Sequence, residues 1–363
     1  MSSSNASNFE QIPVVDFSLL DGSLEQRNEL ILQLREVCHE VGFFYVTNHG
    51  LSRELCDRTL EVAGDFFALP MEAKRALDYR QSPSFRGYMS LGCENTGGRT
   101  DQREQIEFGV EAPPLPPPPD LPLPPYTRLC GPNQWPATEH CADFRPTLEE
   151  FMAGMEQLSR GLMRALALSL DLSEDYFDAT FGDSPNVQMK IAKYPPLQAL
   201  ENGGVDEDGV PLLGVGAHSD SGYLSLLLQD GKGGLQAQNG AGQWIDVPPL
   251  PGAFVVNLGE MLQLATDGYY LATVHRVQNL PGNAPRISVP YFFNPRLDAF
   301  LDPVSLPQSL TWARPAPARE SRTHDGENKF FQEYGANAFK SLARSHPEVM
   351  RRHHGDLFNI EDK

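Results

Sequence analysis

The chain has 363 residues, 40% hydrophobic and 21% charged, and its 29 basic and 48 acidic residues give a formal net charge of −19. A surface this acidic repels nucleic acid and anionic membranes, so we expect neither as a partner. The apolar runs fall short of the roughly 20 residues that a membrane span needs. The polar start MSSSNASNFEQIP does not resemble a secretory signal.

The cysteines bear on the cellular compartment. Five cysteines are scattered along the chain, and none forms a C-x-x-C pair. Disulfide scaffolds and structural zinc fingers need paired cysteines at regular spacing, so reduced thiols are the favoured interpretation. We therefore expect a cytoplasmic protein, acting as a monomer.

The first half of the chain is predicted to be mainly helical, with a few short strands. Apolar residues at helical spacing predict helices at 24–40, 52–68, 71–79, 146–170 and 173–181. Aromatic and β-branched runs predict strands at 12–17, 42–48, 84–91 and 104–111. The stretch 112–125 is too rich in proline for a helix or a central strand. We interpret it as an extended surface loop rather than a ligand for a partner domain.

From Val187 onward the sequence is typical of a β protein. Short β-rich runs alternate with turn residues: VQMKIAKY, VGAHSDSGYLSLLLQ, GLQAQ, QWIDV, AFVVNLG, YLATVHRVQ and RISVPYFF. Closely spaced short strands indicate an antiparallel sandwich or barrel. A helix is predicted again over 327–352. We therefore predict a mixed α and β fold whose β core lies between N-terminal helices and a C-terminal helix.

A metal site is indicated by His218-Ser219-Asp220 and by His275, which follows on another predicted strand. Residues i and i+2 of a strand point to the same face, so His218 and Asp220 can converge. Two histidines and one carboxylate on one side of a metal are the ligand set of non-haem Fe(II) oxygenases. Because thiolates are missing from this set, Fe(II) fits it better than a closed zinc site.

The tripeptide alone is weak evidence, because H-x-D arises by chance. A second example, His354-Gly355-Asp356, follows the last predicted helix, with no histidine after it. We interpret that copy as a surface feature without a metal.

A second signal is Arg286-Ile287-Ser288, which begins an otherwise apolar run. Strand alternation puts Arg286 and Ser288 on one face. A buried guanidinium needs an anionic partner, and a dicarboxylate ligand would supply one. Phe292 shares that face, where core packing and substrate contact are equally good roles. Lys190, Ala192 and Tyr194 share a face of VQMKIAKY, and the sequence does not decide which way that face points.

Together these residues resemble the 2-oxoglutarate- and Fe(II)-dependent dioxygenases of the isopenicillin N synthase-like group. The resemblance spans roughly residues 11–350. It rests on the following segments: IPVVDFSLL, GFFYVTNHG, FRGY, GPNQWP, AHSD, VHRV and RISVPYFFNP.

The resemblance implies a double-stranded β-helix, or jelly roll, with N-terminal helices packed on it. It suggests three regions within one compact unit: an N-terminal helical and β region (1–145), a helix followed by the jelly-roll core (146–300), and a C-terminal helical extension (301–363).

The resemblance also implies the roles of site residues. His218, Asp220 and His275 would bind Fe(II), Arg286 and Ser288 would hold the distal carboxylate of 2-oxoglutarate, and the Tyr194 hydroxyl would contact the same co-substrate. With O2, such an enzyme hydroxylates, desaturates or cyclises a small molecule and releases succinate and carbon dioxide. Two positions depart from the family pattern: Ala192 replaces an asparagine, and Glu260 replaces an aspartate in the Asn257-Leu258-Gly259-Glu260 stretch.

Several alternatives stay open. An isopenicillin N synthase-like oxidase would not use 2-oxoglutarate, but the Arg-x-Gly-Tyr-Tyr segment of that enzyme appears here only as Phe85-Arg86-Gly87-Tyr88-Met89, with the arginine displaced by one position. An ethylene-forming enzyme and a non-catalytic jelly-roll binding protein are further options. A zinc hydrolase that used the same three ligands would give Arg286 no functional role.

The substrate is the least determined property. Arg86, Tyr88 and Arg103 are candidates for contacting a substrate anion, although structural pairing is the favoured interpretation for them. Lys190 and Phe292 are further substrate candidates. The acidic stretch 199–211 is expected to form a loop near the site entrance. Secondary metabolism or hormone turnover fits the family.

Overall fold

The computed structural model describes residues 7–113, 123–311 and 330–357, so most of the proline-rich stretch 112–125 lies outside the described residues. The helices in these ranges are α1 Leu24–Glu40, α2 Arg53–Ala68, α3 Met71–Arg75, α4 Phe144–Ser169, α5 Asp178–Phe181, α6 Glu260–Ala265, α7 Gln308–Thr311, α8 Tyr334–Ser345 and α9 Pro347–His353. None of the helices described is long and apolar enough to cross a bilayer.

The strands form a large and a small sheet, with one short hairpin beside them. They are β1 Val14–Asp16, β2 Phe43–Thr47, β3 Gly87–Met89, β4 Asn95–Thr96, β5 Arg99–Thr100, β6 Glu104–Gly109, β7 Asn186–Tyr194, β8 Leu213–His218, β9 Leu224–Gln229, β10 Leu235–Gln238, β11 Trp244–Asp246, β12 Phe254–Leu258, β13 His275–Gln278 and β14 Arg286–Asn294. The large sheet has the order β1-β2-β12-β9-β14-β7-β6-β3, and the small sheet has the order β11-β10-β13-β8. Apart from the parallel pair β1–β2, the pairings within both sheets are antiparallel. The predicted jelly-roll core with flanking helices is confirmed.

Strand alternation gives the large sheet two different faces. Met189 of β7 and Tyr291 of β14 point outward into a core shared with α1, α2 and α4. The alternate residues of these strands point inward. Among them, Ala192 and Tyr194 of β7 pack with Val215 and Val277 of the small sheet. Because successive side chains alternate, each inward residue lies two positions from the next. The space between the two sheets therefore receives every second residue of β6, β7, β9 and β14.

The outer helices begin where the sequence offers caps. Ser23 and Gln26 form a reciprocal capping box at the start of α1, and the Ser52 hydroxyl accepts a hydrogen bond from the Leu55 N–H at the start of α2. Capping satisfies backbone N–H groups that have no partner inside the helix. The apolar stripes of these helices then cover the outer face of the large sheet.

The C-terminal segment differs from the single helix predicted over 327–352. Two helices, α8 and α9, meet at His346, whose backbone leaves the helical region (φ −124°, ψ 60°). Pro347 causes this break, because its ring excludes the helical conformation at the preceding residue and it has no N–H to donate. Proline is well suited to the first position of α9 for the same reason. The helix predicted at 71–79 also ends early, at Arg75.

A buried tyrosine hydroxyl gives a stability prediction. Tyr291 is fully buried and its hydroxyl has no hydrogen-bond partner among the described residues. We expect Tyr291→Phe to leave the free energy of unfolding unchanged or to raise it by about 1 kcal/mol, because an unpaired buried hydroxyl is costly. Urea unfolding followed by circular dichroism measures this change.

Tyr270 is the matched control. It is equally buried, but its hydroxyl lies 2.6 Å from the Ser169 hydroxyl. Tyr270→Phe should lower the free energy of unfolding by about 1 kcal/mol, because Ser169 loses its partner. Equal losses in the two variants would contradict the assignment of Tyr291 as an unpaired group.

Candidate active site

His218, Asp220 and His275 converge at one end of the space between the sheets. His218 ends β8 and lies directly opposite His275, the first residue of β13. Their ring centroids are 4.4 Å apart. Asp220 follows β8, and its Oδ1 lies 3.7 Å from His218 Nε2 and 3.9 Å from His275 Nε2. The structure thus brings the three residues of the predicted triad together.

A β-bulge orients His218. Four residues of β8 (Val215 to His218) oppose three of β13 (Val277 to His275), so β8 carries one extra residue. Without this bulge, Val215 and His218 would point to opposite faces, because they are three positions apart. Gly216 lies in the bulge, and its N–H donates to Asp101 Oδ1 at 3.2 Å.

Hydrogen bonds fix the orientation of each ligand. His218 Nδ1 lies 2.8 Å from the Gly216 carbonyl, and His275 Nδ1 lies 3.0 Å from the Thr273 carbonyl. A carbonyl can only accept, so Nδ1 carries the proton in both rings and each Nε2 keeps a lone pair. Asp220 Oδ2 accepts from Ser225 Oγ at 2.5 Å and from Asn257 Nδ2 at 2.7 Å. These contacts leave Oδ1 and the two Nε2 atoms facing one another.

The protonation states also suit a metal. Burial, together with the neighbouring His275, lowers the pKa of His218 to about 4, so this ring is neutral near pH 7. Burial acts to raise the pKa of Asp220, but the two imidazoles and the hydrogen bonds from Asn257 and Ser225 outweigh it and lower the pKa below its usual range. A metal ion would therefore find ligand atoms that are already deprotonated, and its binding would not have to displace protons from them.

Close backbone packing holds the turn that carries Asp220. A Cβ atom on Gly259 would lie 2.1 Å from the Gly222 carbonyl oxygen, so only glycine allows this approach. The Glu260 N–H donates to the Asp220 carbonyl at 2.7 Å, and the Ser219 hydroxyl donates to Glu260 Oε1 at 2.7 Å. Glu260 thus ties the Asp220 turn to the start of α6.

Arg286 lies inside the barrel with unused donors. Its side chain is buried, and its Nη2 donates to Gln229 Oε1 at 2.9 Å. Within the described residues, its Nε and Nη1 have no hydrogen-bond partner. The guanidinium lies over the Tyr194 ring, 4.9 Å from its centroid, and the buried Ser288 is two positions along the same strand. A buried cation with unpaired N–H groups fits an anionic ligand.

Register connects this cation to the metal ligands. Phe292 lies directly opposite Ser225 on β9 and Gln188 on β7. Ser225 hydrogen-bonds Asp220, so Phe292 stands beside the triad. Arg286 is six residues away on the same face of β14, about 20 Å along the strand between Cα atoms. The predicted shared face of Arg286, Ser288 and Phe292 is therefore the interior face.

Comparisons with known proteins agree with this geometry. The family model for the 2OG-Fe(II) oxygenase superfamily matches residues 186–295, and the model for the non-haem dioxygenase in morphine synthesis N-terminal region matches residues 12–138. A 2-oxoglutarate-dependent dioxygenase of Dothideomycetidae sp. (strain 11243) is 36% identical over 349 residues, which cover 94% of this chain and 91% of that protein. A homoarginine-6-hydroxylase of Arabidopsis thaliana is 33% identical and covers 83% of this chain and 90% of its own length.

The chain belongs to the 2OG-Fe(II) oxygenases. Its structure is similar to that of a full-length Neurospora crassa protein solved with α-ketoglutarate and 5-formyluracil, with a TM-score of 0.72 at 26% identity over 95% of this chain and 100% of the other. The protein is an Fe(II)- and 2-oxoglutarate-dependent dioxygenase, an oxidoreductase for which O2 is the other co-substrate.

Two substrate candidates of this oxygenase lie elsewhere. The Arg86 guanidinium is buried and donates to the carbonyls of Val110, Gly131 and Leu129. Burial lowers the pKa of Arg86 to about 10. Tyr88 points into the outer core, where its hydroxyl donates to Glu104 at 2.6 Å. Neither reaches the His218–Asp220–His275 triad, because Arg86 braces loops and alternation turns Tyr88 outward.

The second H-x-D motif also differs from its prediction. His354 is buried rather than exposed, and its Nε2 lies 2.7 Å from the Pro83 carbonyl. Asp356 pairs with Arg128. These residues connect α9 to the N-terminal region, so this motif has a structural role.

Sequence reasoning missed several residues of the oxygenase site. No sequence pattern assigns a role to Ser225 or Asn257, although both hydrogen-bond Asp220. Glu94, Glu107 and His346 also lie on the interior side, and one ligand atom of each is within 4.8 Å of the others. Polar residues alternating with Ile106 and Phe108 on β6 were a signal for Glu107. The sequence held no comparable signal for Glu94 or His346, which come from distant segments.

The triad geometry predicts the effect of changing its carboxylate. We expect Asp220→Asn to weaken iron binding by more than about 100-fold. Replacing a residue that only orients a metal ligand already lowers metal affinity by about 10–100-fold. Equilibrium dialysis against Fe(II) under anaerobic conditions, with metal analysis, measures this loss.

Asp356→Asn, in the second H-x-D motif, is the matched control and should keep the affinity of the parent protein. Comparable iron loss in the two variants, or none in Asp220→Asn, would rule out the assignment of Asp220 as a ligand.

Proposed function

We propose that His218, Asp220 and His275 hold the catalytic Fe(II) of this dioxygenase, and that Arg286, Ser288 and Tyr194 bind 2-oxoglutarate. The observation that carries the proposal is the buried Arg286. Its Nε and Nη1 have no hydrogen-bond partner among the described residues. Its side chain lies on the same face of β14 as Phe292, which stands beside the triad. Nε and Nη1 lie on opposite edges of the guanidinium, so a carboxylate bound at either edge would fill one of these donors with a charge-assisted hydrogen bond. The Ser288 hydroxyl, two positions along on the same face, adds a donor for that carboxylate.

The donor set supports iron. Two neutral imidazoles and one carboxylate leave the remaining coordination positions open for a chelating co-substrate and for O2. When bound, Fe(II) supplies the redox chemistry that couples decarboxylation of 2-oxoglutarate to oxidation of a C–H bond. The chain itself positions these reactants: Ser225 and Asn257 hold Asp220, and the Gly216 and Thr273 carbonyls hold the imidazoles.

The oxidised substrate in this proposal is a small organic molecule, bound beside Phe292 and Lys190, and its product carries a hydroxyl group, a new double bond or a new ring. Named relatives support small substrates: one is a homoarginine-6-hydroxylase, and a similar structure was solved with 5-formyluracil. The net charge of −19 disfavours nucleic acid. Five free thiols fit a reducing compartment, so we place the enzyme in the cytoplasm, as a monomer in secondary metabolism.

An anaerobic titration tests the proposal without knowledge of the substrate. Metal-free protein is mixed with Fe(II), and 2-oxoglutarate is added while the visible spectrum is recorded. A weak charge-transfer band that needs both additions is expected from a chelated co-substrate. Iron binding without this band would indicate a direct oxidase of the isopenicillin N synthase type, and failure to bind iron would indicate a non-catalytic jelly-roll protein.

Arg286→Ala tests the co-substrate pocket. The variant should keep its iron but need about 10–100-fold more 2-oxoglutarate to develop the band, because charge-assisted hydrogen bonds contribute about 1.5–3 kcal/mol. Arg276→Ala is the control, since Arg276 binds Gln236 and stacks on Trp244. An unchanged 2-oxoglutarate curve in Arg286→Ala would refute the assigned role.

A further inference from the structure

A second polar group lies on the interior side, outside the proposed ligands of iron and 2-oxoglutarate. Glu94, Glu107 and His346, called the acceptor cluster below, come from the loop before β4, from β6 and from the junction of α8 and α9. One carboxylate oxygen of each glutamate and one ring nitrogen of His346 all lie within 4.8 Å of one another. Three hydrogen-bond acceptors thus converge from three separate parts of the chain.

The charges around the acceptor cluster do not balance. Lys190 Nζ lies 2.6 Å from Glu107 and 3.5 Å from Glu94, and Arg103 pairs with both Glu94 and Asp101. By formal charge, three carboxylates face two cations in a largely buried site, where Glu107 also accepts hydrogen bonds from Gln105 and Gln188 and burial raises the pKa of Asp101. Buried charges are costly unless they are paired. One further positive charge would complete the balance.

His346 adds an unused acceptor. Its Nδ1 faces its own helix, 2.7 Å from Ser345 Oγ and 3.3 Å from the Leu342 carbonyl. That carbonyl can only accept, and the Ser345 hydroxyl donates to backbone carbonyls, so the surroundings favour a proton on Nδ1 and a lone pair on Nε2. The residue is 2% exposed, and its Nε2 has no partner in the described part of the chain. Burial lowers the pKa of His346, so the ring is neutral near pH 7.

Sheet register places the acceptor cluster within reach of the metal end. Glu107 lies opposite Lys190, and Gln188, two positions from Lys190 on the same face, lies opposite Phe292. Phe292 in turn lies opposite Ser225, which hydrogen-bonds Asp220. At about 4.8 Å between neighbouring strands, Gln188 and Ser225 are about 10 Å apart. A small molecule can span this distance.

We propose that Glu94, Glu107 and His346 bind a positively charged, N–H-rich group of the substrate, namely an amidinium or a guanidinium. This inference rests on the proposed function, since it assumes that the carbon to be oxidised lies at the triad. The cationic group neutralises the excess carboxylate and donates to His346 Nε2. Glu94, Glu107 and His346 are thus the residues that select the substrate class.

Two other ligands fit less well. A substrate carboxylate would have to displace Glu94 from Arg103 or Glu107 from Lys190, which leaves a buried glutamate unpaired. A second metal ion would have to expel the Lys190 ammonium, which already lies 2.6 Å from Glu107. A cationic substrate group would bind without displacing either glutamate or expelling the Lys190 ammonium.

Probe binding to the holoenzyme tests the inference. The protein is loaded anaerobically with Fe(II) and 2-oxoglutarate, and probes are titrated by calorimetry while the visible band is monitored. The cationic probes are arginine, homoarginine and agmatine, and each is compared with the counterpart in which a neutral urea group replaces the guanidinium: citrulline, homocitrulline and N-carbamoylputrescine. At least one cationic probe should bind about tenfold more tightly than its counterpart and perturb the band.

Variants assign the effect to the cluster. Glu94→Gln and His346→Leu should each lower the affinity for the preferred cationic probe by about tenfold. His346→Gln, which keeps an acceptor, should restore most of the affinity. Glu111→Gln is the matched control, because Glu111 binds Asn133 and Trp135 outside the cluster. The band formed with 2-oxoglutarate in each sample shows that the variant is folded and loaded.

The outcomes separate the two proposals. Absence of the band in the parent protein would refute the proposed function. A normal band with no binding of any cationic probe, or with equal binding of the urea counterparts, would overturn the acceptor-cluster inference alone. Binding that is unaffected by Glu94→Gln and His346→Leu, or tight binding of Zn²⁺ or Mn²⁺ that requires Glu94, would also overturn it.

Discussion

The register between β8 and β13 is the constraint on which the site depends. It places His218 directly opposite His275, and the bulge at Gly216 turns His218 inward although Val215, three positions earlier, also points inward. A shift of one residue would send the imidazoles to opposite faces. Asp220 then completes the set only because the close contact between Gly222 and Gly259 brings its turn against α6. The chemistry of this oxygenase thus rests on backbone pairing.

The interior of the barrel is polar in two places, and the two places are complementary in sign. Arg286 offers donors without acceptors, while the acceptor cluster holds one acceptor, His346 Nε2, that has no donor among the described residues. Folded proteins rarely leave buried polar groups unpaired, so each imbalance points to a ligand. An anionic co-substrate and a cationic substrate group would satisfy the two ends separately. This separation keeps the two ligands from competing for one site.

Much of the architecture followed from pattern. Helix α1 occupies the predicted residues 24–40, and the strands β7 and β14 lie within the β-rich runs that begin near Val187 and Arg286. Two predictions failed for different reasons: the first overlooked a local signal, and the second depended on contacts that are not local. The tail breaks into α8 and α9 at Pro347, and the second H-x-D motif is buried by contacts with Pro83 and Arg128. Neither contact partner is near in the sequence.

The sequence by itself determined the residue types and the alternation that puts Arg286, Ser288 and Phe292 on one face, because the two-residue period is a local property of a strand. It also identified His218, Asp220 and His275 as a plausible ligand set. Only the tertiary structure decided which face points inward, since this depends on what packs against the sheet. It likewise brought His346 to Glu107, 239 positions earlier in the chain. Such contacts arise from the assembly of separate elements, which no local pattern encodes.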